Sequence, residues 1–318
     1  MRPATGPGQG GSLPGMADYT RSPSVPPPFG RVLTAMVTPF HDDGALDLDG
    51  AARLANHLVD EGCDGVVVSG TTGESPTTTD TEKEQIVRVV RDAVGDRAAV
   101  VAGAGTYSTH HSVELARQAE KAGADGLLVV TPFYNKPPQS GLVQHFTAVA
   151  DATALPVMLY DIPARSGVPI TTETLVRLSE HERIVAVKDA KDDLYESSWV
   201  LARTELAYYC GTDALNLAHL TQGAVGMVSV VAHVAASRYA AMVRAVDAGE
   251  LAEAIGLHRA LLPAVRGIMT RTQGAIMAKA ALQLAGVLQS RAMRSPLPAA
   301  TDAEVAQLRD DLVAADLL

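Results

Sequence analysis

Lys188 closes a run of branched apolar residues, IVAVKDA at 184–190, whose composition is that of a buried strand. A buried ammonium is costly unless it is paired or gives up its proton. Two readings are open. The lysine can reach solvent along its aliphatic stem. Alternatively it is partly desolvated, its pKa falls from about 10.4 toward neutrality, and the free amine can attack a ketone to form a Schiff base. Tyr160 ends another apolar run, PVMLYDI, and is either a packed core tyrosine or a phenol that passes protons to and from such an imine.

Other motifs could supply anion binding. SGTTGES (69–75) puts two hydroxyls and two glycines before the acidic helix start TDTEKE. Its free backbone N–H groups can receive a carboxylate, or the stretch is a plain turn and helix cap. Arg165 in PARSG can make a two-pronged contact with a carboxylate or lie on the surface. His110 and His111 are adjacent, point in diverging directions and lack companions at ligand spacing, so no metal is expected. Cys63 and Cys210 lie far apart in apolar segments and read as buried thiols rather than a disulfide. Met277 and the apolar stripe around it read as core.

These residues need a scaffold that brings them together. Eight short apolar runs have strand composition: VLTAMVTP, GVVVSG, AAVVAGAG, GLLVVTP, PVMLYDI, IVAVKDA, LAYYCG and AVGMVSV. Helical periodicity lies between them. In TEKEQIVRVVRDAV, Ile86, Val89, Val90 and Ala93 fall on one face, and in HSVELARQAEKAGAD Val113, Ala116 and Ala119 do so. Strand then helix eight times is the pattern of a (β/α)8 TIM barrel, an α/β fold in which side chains at the strand C-termini share one mouth. An open doubly wound sheet would show a G-x-G-x-x-G turn after its first strand, and MVTPFHDDG has none. The barrel is expected over 30–245, a C-terminal helical extension over 246–318, and a disordered Pro/Gly/Ser/Thr-rich leader over 1–29.

Composition excludes several function classes. Acidic residues outnumber basic ones 36 to 26, for a net charge of −10, and no Lys/Arg run offers a footprint for nucleic acid. No apolar stretch reaches the length of a membrane span, and the N-terminus lacks the apolar segment of a secretion signal. A cytoplasmic enzyme with no membrane partner is expected.

The set GTTGES, TPFYNKP, YDIPARSG, VKDA and GTDAL, in this order and spacing, resembles the dihydrodipicolinate synthase (4-hydroxy-tetrahydrodipicolinate synthase) family. These are pyruvate-dependent class I aldolases related to N-acetylneuraminate lyase, and the likeness runs from about residue 33 to the C-terminus. The resemblance implies a lyase that condenses pyruvate with L-aspartate 4-semialdehyde on the route to diaminopimelate and lysine. It needs no cofactor beyond the covalent imine at Lys188. By the same resemblance Tyr160 is the general acid and base, in a relay with Thr71 and with Tyr134 of a neighbouring subunit. Thr72 and the Thr71 backbone hold the pyruvate carboxylate, the Val228 carbonyl and Gly211 line the pocket, and Arg165 binds the semialdehyde carboxylate. The family forms homotetramers built as dimers of dimers.

Two departures stand out. The asparagine usual after the strand-five tyrosine is Asp161 here. Family members inhibited by lysine carry an interface pocket of histidine, asparagine, glutamate and tyrosine, where this chain has Asp80, Lys83, Tyr107, His111 and Phe133. A lysine effector's ammonium would meet Lys83, so weak or absent feedback by lysine is expected. Rival readings keep the imine with a sialic-acid or sugar-acid acceptor, against which Arg165 speaks, or make the chain a non-catalytic metabolite-sensing barrel.

Overall fold

The eight apolar runs form the eight strands of a closed, wholly parallel barrel in sequence order: β1 (Val32–Ala35), β2 (Gly65–Val68), β3 (Ala99–Gly103), β4 (Gly126–Val130), β5 (Val157–Asp161), β6 (Ile184–Asp189), β7 (Ala207–Cys210) and β8 (Gly226–Ser229). The computed structural model describes residues 25–318. Helices α1 (Leu48–Asp60), α2 (Asp80–Val94), α3 (Thr109–Ala122) and α4 (Gln139–Asp151) follow the first four strands. The short α5 (Pro163–Ser166) and then α6 (Thr172–Leu178) follow β5, and α7 (Leu194–Arg203), α8 (Asn216–Thr221) and α9 (Ala232–Asp247) follow the last three. Beyond them α10 (Leu251–Val265), which runs into a π-helical turn at Arg266–Thr270, α11 (Gly274–Leu284) and α12 (Asp302–Ala314) make the helical C-terminal segment.

Local chemistry starts the helices where they must start. Thr79 and Glu82 form a reciprocal capping box at the head of α2. The buried stripe of α2 is Lys83, Ile86, Val87, Val90 and Val94, whereas Val89 and Ala93 are only half-buried. The face is rotated from the expected one because α2 packs against α1 and α3 as well as the barrel. In α3 likewise Val113 is half-buried and Leu115 takes its place in the stripe.

One irregularity sets the register of the chemical end. Val157 pairs with Ile184 but Met158 pairs with Ala186, so Val185 is an extra residue, a β-bulge between β5 and β6. From there on Tyr160 stands opposite Lys188 and Asp161 opposite Asp189.

The opposite end of the barrel is closed by Phe29, which is 2% exposed. Its ring occupies the space a side chain on Gly126 would need, since a Cβ there would lie 2.3 Å from the ring. Tyr209 adds to this floor by donating its hydroxyl to the Gly30 carbonyl at 2.9 Å. The expectation of a leader over 1–29 is thus corrected at its end. Residues 1–24 lie outside the described residues, but Phe29 belongs to the core. The expected boundary at 245/246 falls inside α9, which ends at Asp247.

Phe29→Ala is expected to lower the unfolding free energy by about 3 kcal/mol, because it empties a packed site that Gly126 leaves open for the ring. Urea denaturation followed by circular dichroism measures this. A loss under about 1 kcal/mol would mean that the ring does not plug the floor.

Candidate active site

Lys188 is 4% exposed and its side chain forms no hydrogen bond or ion pair with any described residue. Its Nζ lies 4.3 Å from the centroid of the Tyr160 ring, the two residues being register partners on β5 and β6. The amine is therefore inside the barrel mouth and faces an aromatic ring, which rules out the solvent-reaching alternative. Gly211 borders it from the end of β7. A Cβ on Gly211 would come within 3.0 Å of Lys188 Cε and 2.8 Å of the Asp189 carbonyl, so only glycine leaves the lysine room.

The turn after β2 is held in an unusual shape. Ser69 and Glu74 both have left-handed backbones, each with φ 54°, a conformation that costs a non-glycine residue roughly 1 kcal/mol or more. Between them Glu74 N–H donates to the Thr71 carbonyl at 3.1 Å and Ser75 N–H to the Gly70 carbonyl at 3.2 Å. Thr38, in the loop after β1, donates its hydroxyl to the Gly73 carbonyl at 2.7 Å. Thr72 is buried and Thr71 half-buried, with its hydroxyl free of any described partner. The Ser69 hydroxyl is buried and also lacks a partner.

Arg165 lies on α5, in the loop between β5 and α6. It is exposed, and its guanidinium has no described partner, so it is free to take an anion. The loop is anchored from below. Asp161 Oδ1 accepts the Ile170 N–H at 3.1 Å, and Lys191 Nζ lies 3.5 Å from the Ile170 carbonyl and 3.9 Å from Asp161 Oδ2. Burial pushes the Asp161 carboxyl up to about 7, against the pull of the Ile170 N–H and the Lys191 ammonium and with the push of Asp189.

A cavity of about 420 Å³ joins several of these groups, lined by Ser69, Thr71, Tyr160, Arg165 and Ser166 and also by Asp80, Lys83, Tyr107, His111 and Phe133. There His111 Nε2 meets Asp80 Oδ2 at 2.9 Å, and the buried Lys83, its pKa lowered by burial, donates to the Thr78 carbonyl at 2.5 Å. Lys188 lies behind Tyr160 and does not line this cavity, nor do Thr72, Gly211 and Val228. Val228 is fully buried on β8, opposite Leu33 of β1. Tyr134 is not brought to the site within one chain: it is 93% exposed, with φ 73°. Phe133 beside it packs edge-on against the exposed Tyr107, with ring centroids 5.5 Å apart. Among the described residues no group of three or more His, Cys, Asp or Glu could hold a metal ion.

Sequence reasoning missed Lys279 and the role of Glu74. Their side chains form an ion pair 2.5 Å long beneath the GTTGE turn. The signal was present, since Lys279 is the one charged residue in GAIMAKAALQL, the sequence of α11.

The model of the Dihydrodipicolinate synthetase family matches residues 28–315. The chain is 69% identical to 4-hydroxy-tetrahydrodipicolinate synthase of Kineococcus radiotolerans over 290 residues, covering 91% of this chain and 94% of that one. Among solved structures it is similar to dihydrodipicolinate synthase of Cyanidioschyzon merolae with lysine bound, with a TM-score of 0.89, 41% identity, and 92% of this chain and 99% of that one covered. The chloride-inhibited enzyme of Acinetobacter baumannii complexed with pyruvate gives a TM-score of 0.87 and 31% identity, covering 91% of this chain and 99% of that one.

Asp161 carries a pH dependence of known sign. Between its ordinary value near 4 and the folded value of about 7 the native state keeps a proton that the unfolded chain has lost, so this stabilisation is present in acid and fades as pH rises through 7. Asp161→Asn keeps the acceptor for Ile170 and removes the titration. It is expected to be more stable than wild type by roughly 2 kcal/mol near pH 8, with the advantage gone near pH 4. Melting curves across that range check this, and an advantage that grows toward acid would refute it.

Proposed function

The chain belongs to the dihydrodipicolinate synthetase family, and from that premise we propose that it is a 4-hydroxy-tetrahydrodipicolinate synthase, a lyase that joins pyruvate to L-aspartate 4-semialdehyde through an imine on Lys188. The observation that carries this reading is the unpaired, buried amine of Lys188 facing the Tyr160 ring at the barrel mouth. The Lys188 amine attacks the ketone carbon, water leaves, and the resulting iminium draws electrons from the neighbouring methyl group. Loss of a methyl proton gives an enamine, whose carbon forms the new bond to the aldehyde while the aldehyde oxygen takes up a proton. The substrate's own amino group then displaces Lys188, closing the ring and freeing the amine.

The protein's part is to place groups and move protons. Tyr160 is positioned to serve as acid and base, with Thr71, which lines the same cavity, as the next group in the relay. Thr72 and the Thr71 backbone receive the keto acid's carboxylate, Gly211 and the Val228 carbonyl border its pocket, and Arg165 takes the carboxylate of the aldehyde. No resident cofactor or metal enters any of these steps. Tyr134 completes the relay from a second copy. The exposed Tyr107 and Tyr134 beside Phe133 form an aromatic patch suited to such a copy, and a homotetramer built as a dimer of dimers in the cytoplasm belongs to the same reading.

Regulation by lysine is expected to be weak. A lysine effector needs carboxylates for its ammonium, but Asp80 already meets His111 at 2.9 Å and lies 3.8 Å from the ammonium of Lys83. A third cation there would be opposed rather than held.

Three outcomes are expected. Incubation with pyruvate and borohydride should add one reduced pyruvyl group at Lys188, seen by mass spectrometry, and Lys188→Ala should abolish it with the fold intact. Coupled assays should show turnover with aspartate semialdehyde and none with N-acetylmannosamine or glyceraldehyde; the reverse preference would move the chain to another branch of the pyruvate aldolases. Submillimolar lysine should leave the rate unchanged, and strong inhibition would contradict the account of Lys83.

A further inference from the structure

Among the described ion pairs only Glu74 with Lys279 has both side chains wholly out of water. The two residues are 205 positions apart, one in the turn after β2 and the other on α11 of the C-terminal segment. Lys279 Nζ donates to Glu74 Oε1 at 2.5 Å and to the Ala292 carbonyl at 2.7 Å, and lies 4.3 Å from the centroid of the Phe40 ring. Glu74 Oε2 accepts the Arg294 N–H at 3.0 Å. Both carboxylate oxygens are therefore held by the C-terminal segment. Burial pulls the Lys279 pKa down while Glu74 opposes the fall.

Stability alone is a poor reason for such a pair, because the desolvation of two charges offsets their attraction and apolar residues of similar size can serve as well. Its location supplies a better one. Glu74 has the left-handed φ of 54°, which its surroundings must enforce, and its N–H closes the turn that carries Thr71 and Thr72. The α11 lysine thus grips one of the two left-handed residues, Ser69 and Glu74, that bound that turn.

We propose that Glu74 and Lys279 are positioning residues for the reaction: their ion pair clamps the Thr71–Gly73 turn in the shape that receives the keto acid's carboxylate, so the C-terminal helices help to set pyruvate affinity. This rests on the carboxylate role given above to Thr71 and Thr72 and extends it to a second layer that touches no substrate. Coupling of this kind is reciprocal. If the clamp favours the bound turn, bound pyruvate tightens the clamp.

Two measurements on the full-length protein test this. In the wild type, trapping pyruvate with borohydride should slow amide hydrogen exchange in the peptide spanning 290–294, which contains the Arg294 N–H that Glu74 holds; unchanged exchange in fully trapped protein overturns the clamp. The double variant Glu74→Gln/Lys279→Met removes both charges and keeps the shapes, so folding is expected to survive. Its KM for pyruvate should rise about tenfold, with kcat and the KM for the aldehyde changed less than about threefold. A wild-type KM for pyruvate in that variant would show the pair to be structural only. Should the variant fail to fold, the exchange result decides by itself. Absence of any pyruvate adduct in the wild type would overturn the reading of Lys188 and this proposal with it, an outcome distinct from a normal adduct accompanied by a normal KM.

Discussion

The arrangement of the mouth depends on a single extra residue in β6. In a parallel barrel side chains alternate strictly between the interior and the helix layer, so a slip of one residue exchanges the two sets. Without the bulge at Val185, Tyr160 would stand opposite Val187 and Asp161 opposite Lys188. The bulge instead pairs the phenol with the amine and the two carboxylates with each other. Asp189 then binds the Tyr208 and Ser197 hydroxyls and the Lys191 N–H on the helix side. Lys188 is left with no anion of its own. Register and alternation thus separate the Lys188 amine from Asp189, its neighbour in sequence, and from Asp161 on the adjacent strand.

The two ends of the barrel are built from different materials. At the floor Phe29, with Gly126 giving its ring room, makes an apolar plug, whereas the loops at the mouth are tied by buried polar groups. His233 is a neutral link, since burial lowers its pKa to about 4; its Nε2 accepts the Val37 N–H at 3.0 Å while Nδ1 faces the Val230 carbonyl at 2.7 Å. Asp213 is wholly buried and takes the Ser229 and Tyr239 hydroxyls with the N–H groups of Val230 and Val231. Networks satisfied in this way have directional geometry, which apolar packing lacks, and so hold catalytic loops in one place. The division agrees with the general rule that barrel chemistry sits at the strand C-termini and stability at the other end.

Most of the fold was legible because it is written in period and composition. All eight apolar runs are strands, and GTTGES, Tyr160, Arg165 and Lys188 stand at strand ends or in the loops just beyond, as their spacing implied. What stayed hidden had no such signature. Val185 is one branched residue among several in IVAVKDA, so a bulge there leaves no trace in composition. Phe29 follows SPSVPPP, and the Pro-rich context outweighed one aromatic residue that turned out to have a core to enter. The rotation of the α2 stripe from Val89 to Val87 depends on packing against α1 and α3, which periodicity within one helix does not encode.

Lys279 is the instructive case, because the argument that singled out Lys188 applied to it unchanged. Both are lone lysines in apolar sequence, and in both the cost of burying an ammonium demands an explanation. The structure resolves them in opposite ways. Lys279 meets a carboxylate, a carbonyl and an aromatic ring, so its charge is compensated and its position fixed. Lys188 meets only the face of Tyr160, and its nitrogen has no hydrogen-bond acceptor among the described residues. Compensation makes Lys279 a strut, and without it Lys188 stays unpaired; what separates the two is the partner, which sequence distance conceals and folding supplies.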